Sequence, residues 1–222
     1  MTLFDYPKQA LLGRTLPKSK IYAYAKPSRS IRERFVDEVD QITWKYKLSP
    51  ETINLPVTRS VPEIQIFGIV QRTEELSESV LRTIDKAISF PIFFELTFRD
   101  RLKVTAAYKR PSDSDSDKWV VDSYFASEWC PAEANREPLP VALNLGSLYE
   151  EMLRRLITIP ARSGESLKAQ VARINELQSK QIDRAKLEQR LSREKQFNRK
   201  VELNRELRTC NQDIDSLTGT QE

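Results

Sequence analysis

From Ser166 to Leu217 the chain has neither proline nor glycine, so about 50 residues run with no helix breaker among them. At 1.5 Å per residue an unbroken helix of that length extends roughly 75 Å, far beyond the width of a small domain. Its apolar positions form one narrow stripe. Leu167, Val171 and Ile174 open it, and Leu203, Leu207, Cys210, Ile214 and Leu217 close it at spacings of 4, 3, 4 and 3. Between them Ile182, Leu187, Leu191, Phe197 and Val201 drift out of register, which predicts either stutters in a coil or a short break that folds the segment back on itself. A stripe of this kind stays uncovered until it packs on a twin, on the chain's own globular part or on another protein.

The first 160 residues read differently. Ile21 to Ala25 has the composition of a short strand closed by Pro27. Ser28 or Ser30 is placed to cap a helix in which Ile31, Phe35, Val39 and Ile42 make one stripe, ending near Trp44 to Leu48 before Ser49-Pro50. Strands follow at Glu63 to Val70, Ile92 to Phe98, Leu102 to Tyr108 and Lys118 to Ala126, with a helix from Thr73 to Ile88 after the first and an acidic loop from Pro111 to Asp117 before the last. Leu145 to Leu156 is an amphipathic helix ended by Pro160. The order β-α-β-β-β predicts an α+β fold, a mixed, antiparallel-rich, four-stranded sheet with packed helices. The expected division is a globular domain over 1–160, a long coiled-coil-like helical arm over 166–217 and a disordered tail over 218–222.

The absence of histidine from all 222 residues removes Ser-His-Asp and Cys-His nucleophiles, the usual zinc sites and histidine bases together. Two cysteines 80 positions apart, Cys130 and Cys210, fit a reducing compartment. No apolar run reaches the roughly 18 residues of a membrane span, and the first ten residues lack the layout of a secretory signal, so a cytoplasmic protein without membrane contact is expected. The five glycines form no phosphate-binding loop. Neither a catalytic set, a metal site nor a cofactor is expected. The one catalytic alternative is a divergent metal-dependent nuclease subunit using Glu63 and Glu95, although the Glu-x-Lys triplet of such a site is absent: Thr97 stands where the lysine belongs.

Charge is uneven. Residues 1–60 carry an excess of +5, residues 61–165 of −4 and residues 166–222 of +3. Basic ends are compatible with nucleic-acid contact and equally with an ordinary solvated surface. Within Thr43 to Pro56, Lys45 and Lys47 are candidates to neutralise phosphates while Trp44 or Tyr46 stacks on a base. The alternative is that both aromatics anchor the core and the lysines reach past them to water. In the arm, Arg199 and Lys200 are the matching phosphate candidates. Phe197, Asn198, Val201 and Leu203 are the candidates for docking a protein, because Phe197 is the arm's one aromatic residue and asparagine at a seam selects partner and register.

The segments ITWKYKLSPETINLP (Ile42 to Pro56) and REKQFNRKVELNRELR (Arg193 to Arg208), with LFDYP (Leu3 to Pro7), VPEIQIF (Val61 to Phe67) and IDKAISFPIFFEL (Ile84 to Leu96), resemble an uncharacterised prokaryotic family, domain of unknown function 4391. The resemblance carries no activity and no residue role. It implies a gene beside DEAD/DEAH-type helicases and DNA methyltransferases in antiphage-defence or restriction-like loci. The function expected is therefore a non-catalytic accessory subunit that docks on a helicase or methyltransferase through the arm and contacts DNA with its basic ends. The nuclease subunit and a homodimer paired through the arm stand as alternatives.

Overall fold

The computed structural model describes residues 3–112 and 119–219, which form two units, one up to Thr158 and one from Ile159. In the first unit, strands β1 (Phe4–Asp5), β2 (Leu11–Thr15), β3 (Val39–Leu48), β4 (Ile64–Gln71), β5 (Ile92–Phe98), β6 (Arg101–Pro111), β7 (Trp119–Ala126), β8 (Cys130–Pro131) and β9 (Glu137–Pro138) alternate with helices α1 (Lys18–Ala25), α2 (Arg29–Glu38), α3 (Pro50–Ile53), α4 (Glu78–Ala87) and α5 (Leu145–Arg154). The main sheet runs β2-β3-β4-β5-β6-β7, with β8 also on β6. Only β4 and β5 are parallel in it, joined by α4 as a crossover; every other pair is antiparallel. The α+β reading therefore stands, but the sheet has seven strands rather than four.

Two of the additional strands come from a misread N-terminal region. The expected helix through Ile42 ends at Glu38, and Val39 begins β3. Val39 pairs with Gln71 and Gln41 with Val70, so Asp40 is an extra residue bulged out of the ladder. A bulge adds one to the strand period, so Val39 and Ile42, three apart, both reach the same core and imitate a helical spacing. The expected strand at Ile21 to Ala25 is instead helix α1, whose buried residues Ile21 and Ala25 are one turn apart. Leu11 to Thr15 is β2, bent by Gly13 in the left-handed region at φ 58°.

One face of the sheet packs under α1, α2 and α4. Ile21, Phe35, Val80 and Ile84 meet Ile42, Phe67, Ile69, Phe94 and Leu96 there in one buried cluster. The other face meets α5, where Tyr149 stands edge-on to Phe93 with ring centroids 6.1 Å apart. The Tyr149 hydroxyl donates to the Ala107 carbonyl at 2.9 Å and accepts from the Lys109 N–H at 2.7 Å. These backbone groups flank the point where the β6–β7 register shifts. The acidic loop falls outside the described residues from 113 to 118.

The second unit is a helical hairpin: α6 (Leu167–Arg193) and α7 (Phe197–Thr218), joined by three residues. Glu194 turns extended, and its carboxylate accepts the N–H groups of Lys195 and Gln196 at 2.8 and 2.9 Å. A side chain thus satisfies the backbone where the helix stops, and no proline or glycine is needed. The helices run antiparallel. Leu177, Cys210 and Ile214 bury together with Ile159, Leu187 and Leu217 against them. Lys180 meets Asp213 at 2.5 Å, and Arg173 holds Glu165 through two hydrogen bonds of 2.8 Å. Of the tail expected at 218–222, Thr218 is the last residue of α7 and residues 220–222 lie outside the described residues. No helix among the described residues is long and apolar enough to cross a membrane.

Candidate functional site

The polar groups of the sheet unit are organised by a second bulge in β3. Trp44 pairs with Phe67 and Tyr46 with Ile66, which leaves Lys45 as the extra residue. Before it, Trp44 faces the helix-covered side with Phe67; after it, Lys47 pairs with Gln65, whose neighbour two along is again Phe67, and so shares that side. Lys45 is turned to the opposite side. Its aliphatic stem lies where a Cβ on Gly68 would sit, 2.6 Å from Cε, so the absence of a side chain at Gly68 opens its path across β4. At the end of that path its Nζ meets a carboxylate oxygen of Glu95 on β5 at 2.6 Å.

Glu95 is only 1% exposed, and its other oxygen accepts from Arg136 at 2.7 Å. Arg136 also donates to the Phe4 carbonyl at 2.9 Å, which ties the N-terminal strap over this face. Beside it Tyr6 packs on Tyr46, with ring centroids 4.8 Å apart. Burial works to raise the Glu95 pKa, but the Arg136 hydrogen bond and the Lys45 charge outweigh it and hold the carboxyl below its ordinary value. Burial and the nearby Glu95 charge keep the Tyr6 phenol well above its own. The arrangement is a buried anion between two cations that both reach water, each side chain about a third exposed.

On the helix-covered side Lys47 pairs with Glu63 at 2.9 Å, and Gln65 donates its amide to the same carboxylate at 2.5 Å. Glu63 and Glu95 therefore lie on opposite faces of the sheet, and the structure does not bring them together. Among the described residues no three acidic or cysteine side chains converge as a metal would require. Farther along this side is a sealed ion pair that spacing did not reveal. Lys109 of β6 meets Asp85 of α4 at 3.2 Å and also donates to the carbonyls of Asp85 and Ile88, while the Tyr124 hydroxyl donates to the other Asp85 oxygen. Burial raises the Asp85 pKa and lowers that of Lys109.

Of the four cations read as phosphate contacts, Lys45 and Lys47 lie within β3 rather than at a helix end, and each holds a carboxylate. Arg199 pairs with Glu202 at 2.7 Å, and Lys200 is exposed. The first three must give up a carboxylate to meet a phosphate. The residues read as a docking patch divide. Phe197 is 77% exposed, Val201 53% exposed and Asn198 exposed, at the start of α7. Leu203 is buried, on the seam it shares with Cys210 and Ile214 at helical spacings.

Sequence reasoning missed Arg136 and Asp85. Neither carries a local signal, because each acquires its partner across 41 and 24 residues of chain respectively. Gly68 was the one legible sign, a glycine inside an apolar strand, which marks close approach by another part of the chain.

No curated protein and no solved structure matches this chain. A family model does match, over residues 4–214, which takes in both the sheet unit and nearly all of the hairpin. The chain belongs to the family described as Domain of unknown function (DUF4391).

Proposed function

We propose that this protein is a non-catalytic accessory subunit that docks on a larger partner through the turn end of its helical hairpin. The observation that carries the reading is the pair Phe197 and Val201, one helical turn apart, both presenting most of their apolar side chains to solvent. The hairpin interior already has its own apolar seam, so these two contribute nothing to it. Asn198 beside them supplies a directional hydrogen-bonding group. Aromatic side chains are enriched at interfaces, and the neighbouring valine adds apolar area that a partner can bury. The sealed Asp85–Lys109 pair and the neutralised Glu95 favour structural roles for the buried charges over proton transfer.

The family resemblance supplies the expected partner class, a helicase or DNA methyltransferase encoded alongside in a defence or restriction-like locus. The test is co-purification of a tagged copy expressed from its own operon. The expected result is recovery of that helicase or methyltransferase, abolished by Phe197→Ala with Val201→Asp while the circular dichroism of the variant stays native. Undiminished recovery with the double variant overturns the assignment. Light scattering of the isolated chain addresses the homodimer: a dimer that dissociates with the same two substitutions assigns the turn to a second copy.

A further inference from the structure

The turn of the hairpin concentrates positive charge. Arg190 to Arg205, the sixteen residues that close α6, make the turn and open α7, carry six basic and two acidic side chains, an excess of +4 that equals the net charge of all 222 residues. Both acids are already engaged. Glu202 holds Arg199 at 2.7 Å, and Glu194 accepts the N–H groups of Lys195 and Gln196. Those two hydrogen bonds, then the charges of Arg199 and Lys200, keep the Glu194 carboxyl below its ordinary value. Glu194 stands four residues after Arg190, the spacing of a helical ion pair, but the helix has ended there and the carboxylate caps the backbone instead. Arg190, Arg193, Lys195, Lys200 and Arg205 are therefore exposed and, among the described residues, without an ion pair. Farther from the turn Arg173, Lys180, Arg184 and Lys186 each have an acidic partner.

Phe197 and Val201 stand within this unneutralised charge. On α7 Phe197, Val201 and Arg205 follow one another at four-residue steps and so share a face, with Lys200 beside them. An occupant of that face has to bury apolar area at its centre and carry negative charge around it. Nucleic acid supplies the charge, and its bases stack on a phenylalanine ring, but it offers no apolar pocket for the branched chain of Val201. A protein surface supplies both, since an interface is built as an apolar core within a polar rim.

We propose that the partner of the hairpin is a protein whose docking site is an apolar pocket ringed by aspartate and glutamate. This rests on the docking function proposed above and specifies the chemistry of the surface that receives the turn. The two groups of residues have different tasks. Phe197 and Val201 lose their water in the pocket and set how long the complex lasts. The five cations stay at the wet rim and set how fast it forms, because exposed charges act across about 10 Å at 0.1 M salt, before contact is made.

The test uses the full chain and the helicase or methyltransferase recovered with it, the latter purified and immobilised for kinetic binding measurements from about 50 to about 500 mM sodium chloride. The expected result is an association rate that falls about tenfold or more over that range while dissociation changes little. Arg190→Gln, Arg193→Gln, Lys195→Gln and Lys200→Gln together should slow association about tenfold at the lowest salt and flatten its salt dependence, whereas Phe197→Ala should speed dissociation. The quadruple variant is first checked for a native circular dichroism spectrum. If it is unfolded, Lys195→Gln with Lys200→Gln, which leaves the last turn of α6 intact, carries the test with an effect of about threefold. Association that ignores both salt and these substitutions, while Phe197→Ala with Val201→Asp still abolishes binding, overturns the acidic rim and leaves the docking function standing. Recovery of neither enzyme, or binding undiminished by that double variant, overturns both. Saturable binding of single-stranded or duplex DNA that is lost in the glutamine variant, with association to the protein partner intact, assigns the cations to nucleic acid and also overturns the acidic rim.

Discussion

On the helix-covered face Asp85 and Lys109 are both shut away from water, with the Tyr124 hydroxyl and two main-chain carbonyls completing their hydrogen bonds. On the opposite face Glu95 is equally buried, but its partners Lys45 and Arg136 keep about a third of their side chains in solvent. The contrast shows in the protonation equilibria. Desolvation dominates the sealed pair and pushes each member toward its neutral form, whereas two half-wet cations overcome it at Glu95 and favour the charged form. A buried charge with one buried partner is held by geometry; a buried charge with two solvated partners is held by electrostatics.

The sharpest way to break this comparison is Lys109→Met. It leaves Asp85 buried without the ammonium that pairs with it, and the expected loss is about 3–5 kcal/mol in urea unfolding. Adding Asp85→Asn should restore a large part of it, since the stranded charge is then gone. A single-variant loss below about 1 kcal/mol would mean that the pair does not fasten α4 to β6. A smaller effect is expected at Gly68→Ala. The new Cβ meets Lys45 Cε at 2.6 Å, and the flexible lysine end moves aside rather than the strand. Glu95 then keeps Arg136 and loses Lys45, a cost of about 1.5–3 kcal/mol. Lys45→Met should match it, and the two together should cost no more than either, because both remove one contact. Full additivity in that double-mutant cycle would separate the glycine from the ion pair.

The smallest effect is one of slope. The Glu95 pKa is lowered by folding, so its ionisation stabilises the fold above the ordinary carboxyl value of 4.5, and that contribution is lost as pH falls through the folded value. The Asp85 pKa is raised, so its contribution has the opposite sign: present below the ordinary 3.8 and lost as pH rises through the folded value. Stability measured from pH 7 down to pH 3 should therefore fall less steeply in Glu95→Gln than in the native chain, and more steeply in Asp85→Asn. Parallel slopes in both variants would erase the distinction between the two faces.

Elements whose ladder or helix runs without an extra residue include those best legible from the residues. Ile92 to Phe98 has the bounds expected of it, between Pro91 and the turn at Arg99, and the helix carrying Val80, Leu81 and Ile84 is where its stripe places it, although it starts at Glu78 rather than Thr73. In β3 the misreading came from a bulge that altered the count, whereas Ile21 to Ala25, expected as a strand, is the helix α1 with no bulge involved. Asp40 made a strand look helical, and Lys45 sent neighbouring lysines to opposite faces of the sheet. In the hairpin the drift of Ile182, Leu187 and Leu191 correctly left room for a break, but Glu194, an ordinary helix former, gave no sign that it would supply the cap.

The sequence by itself determined the mixed α and β character, the helical C-terminal region and the absence of histidine chemistry, because composition and periodicity act between near neighbours along the chain. Only the tertiary structure decided that Glu63 and Glu95 are separated by the sheet and that Arg136 reaches Glu95. Each of these depends on strand register. One extra residue in a ladder exchanges the faces of everything that follows it, and no local preference in the residues records that choice.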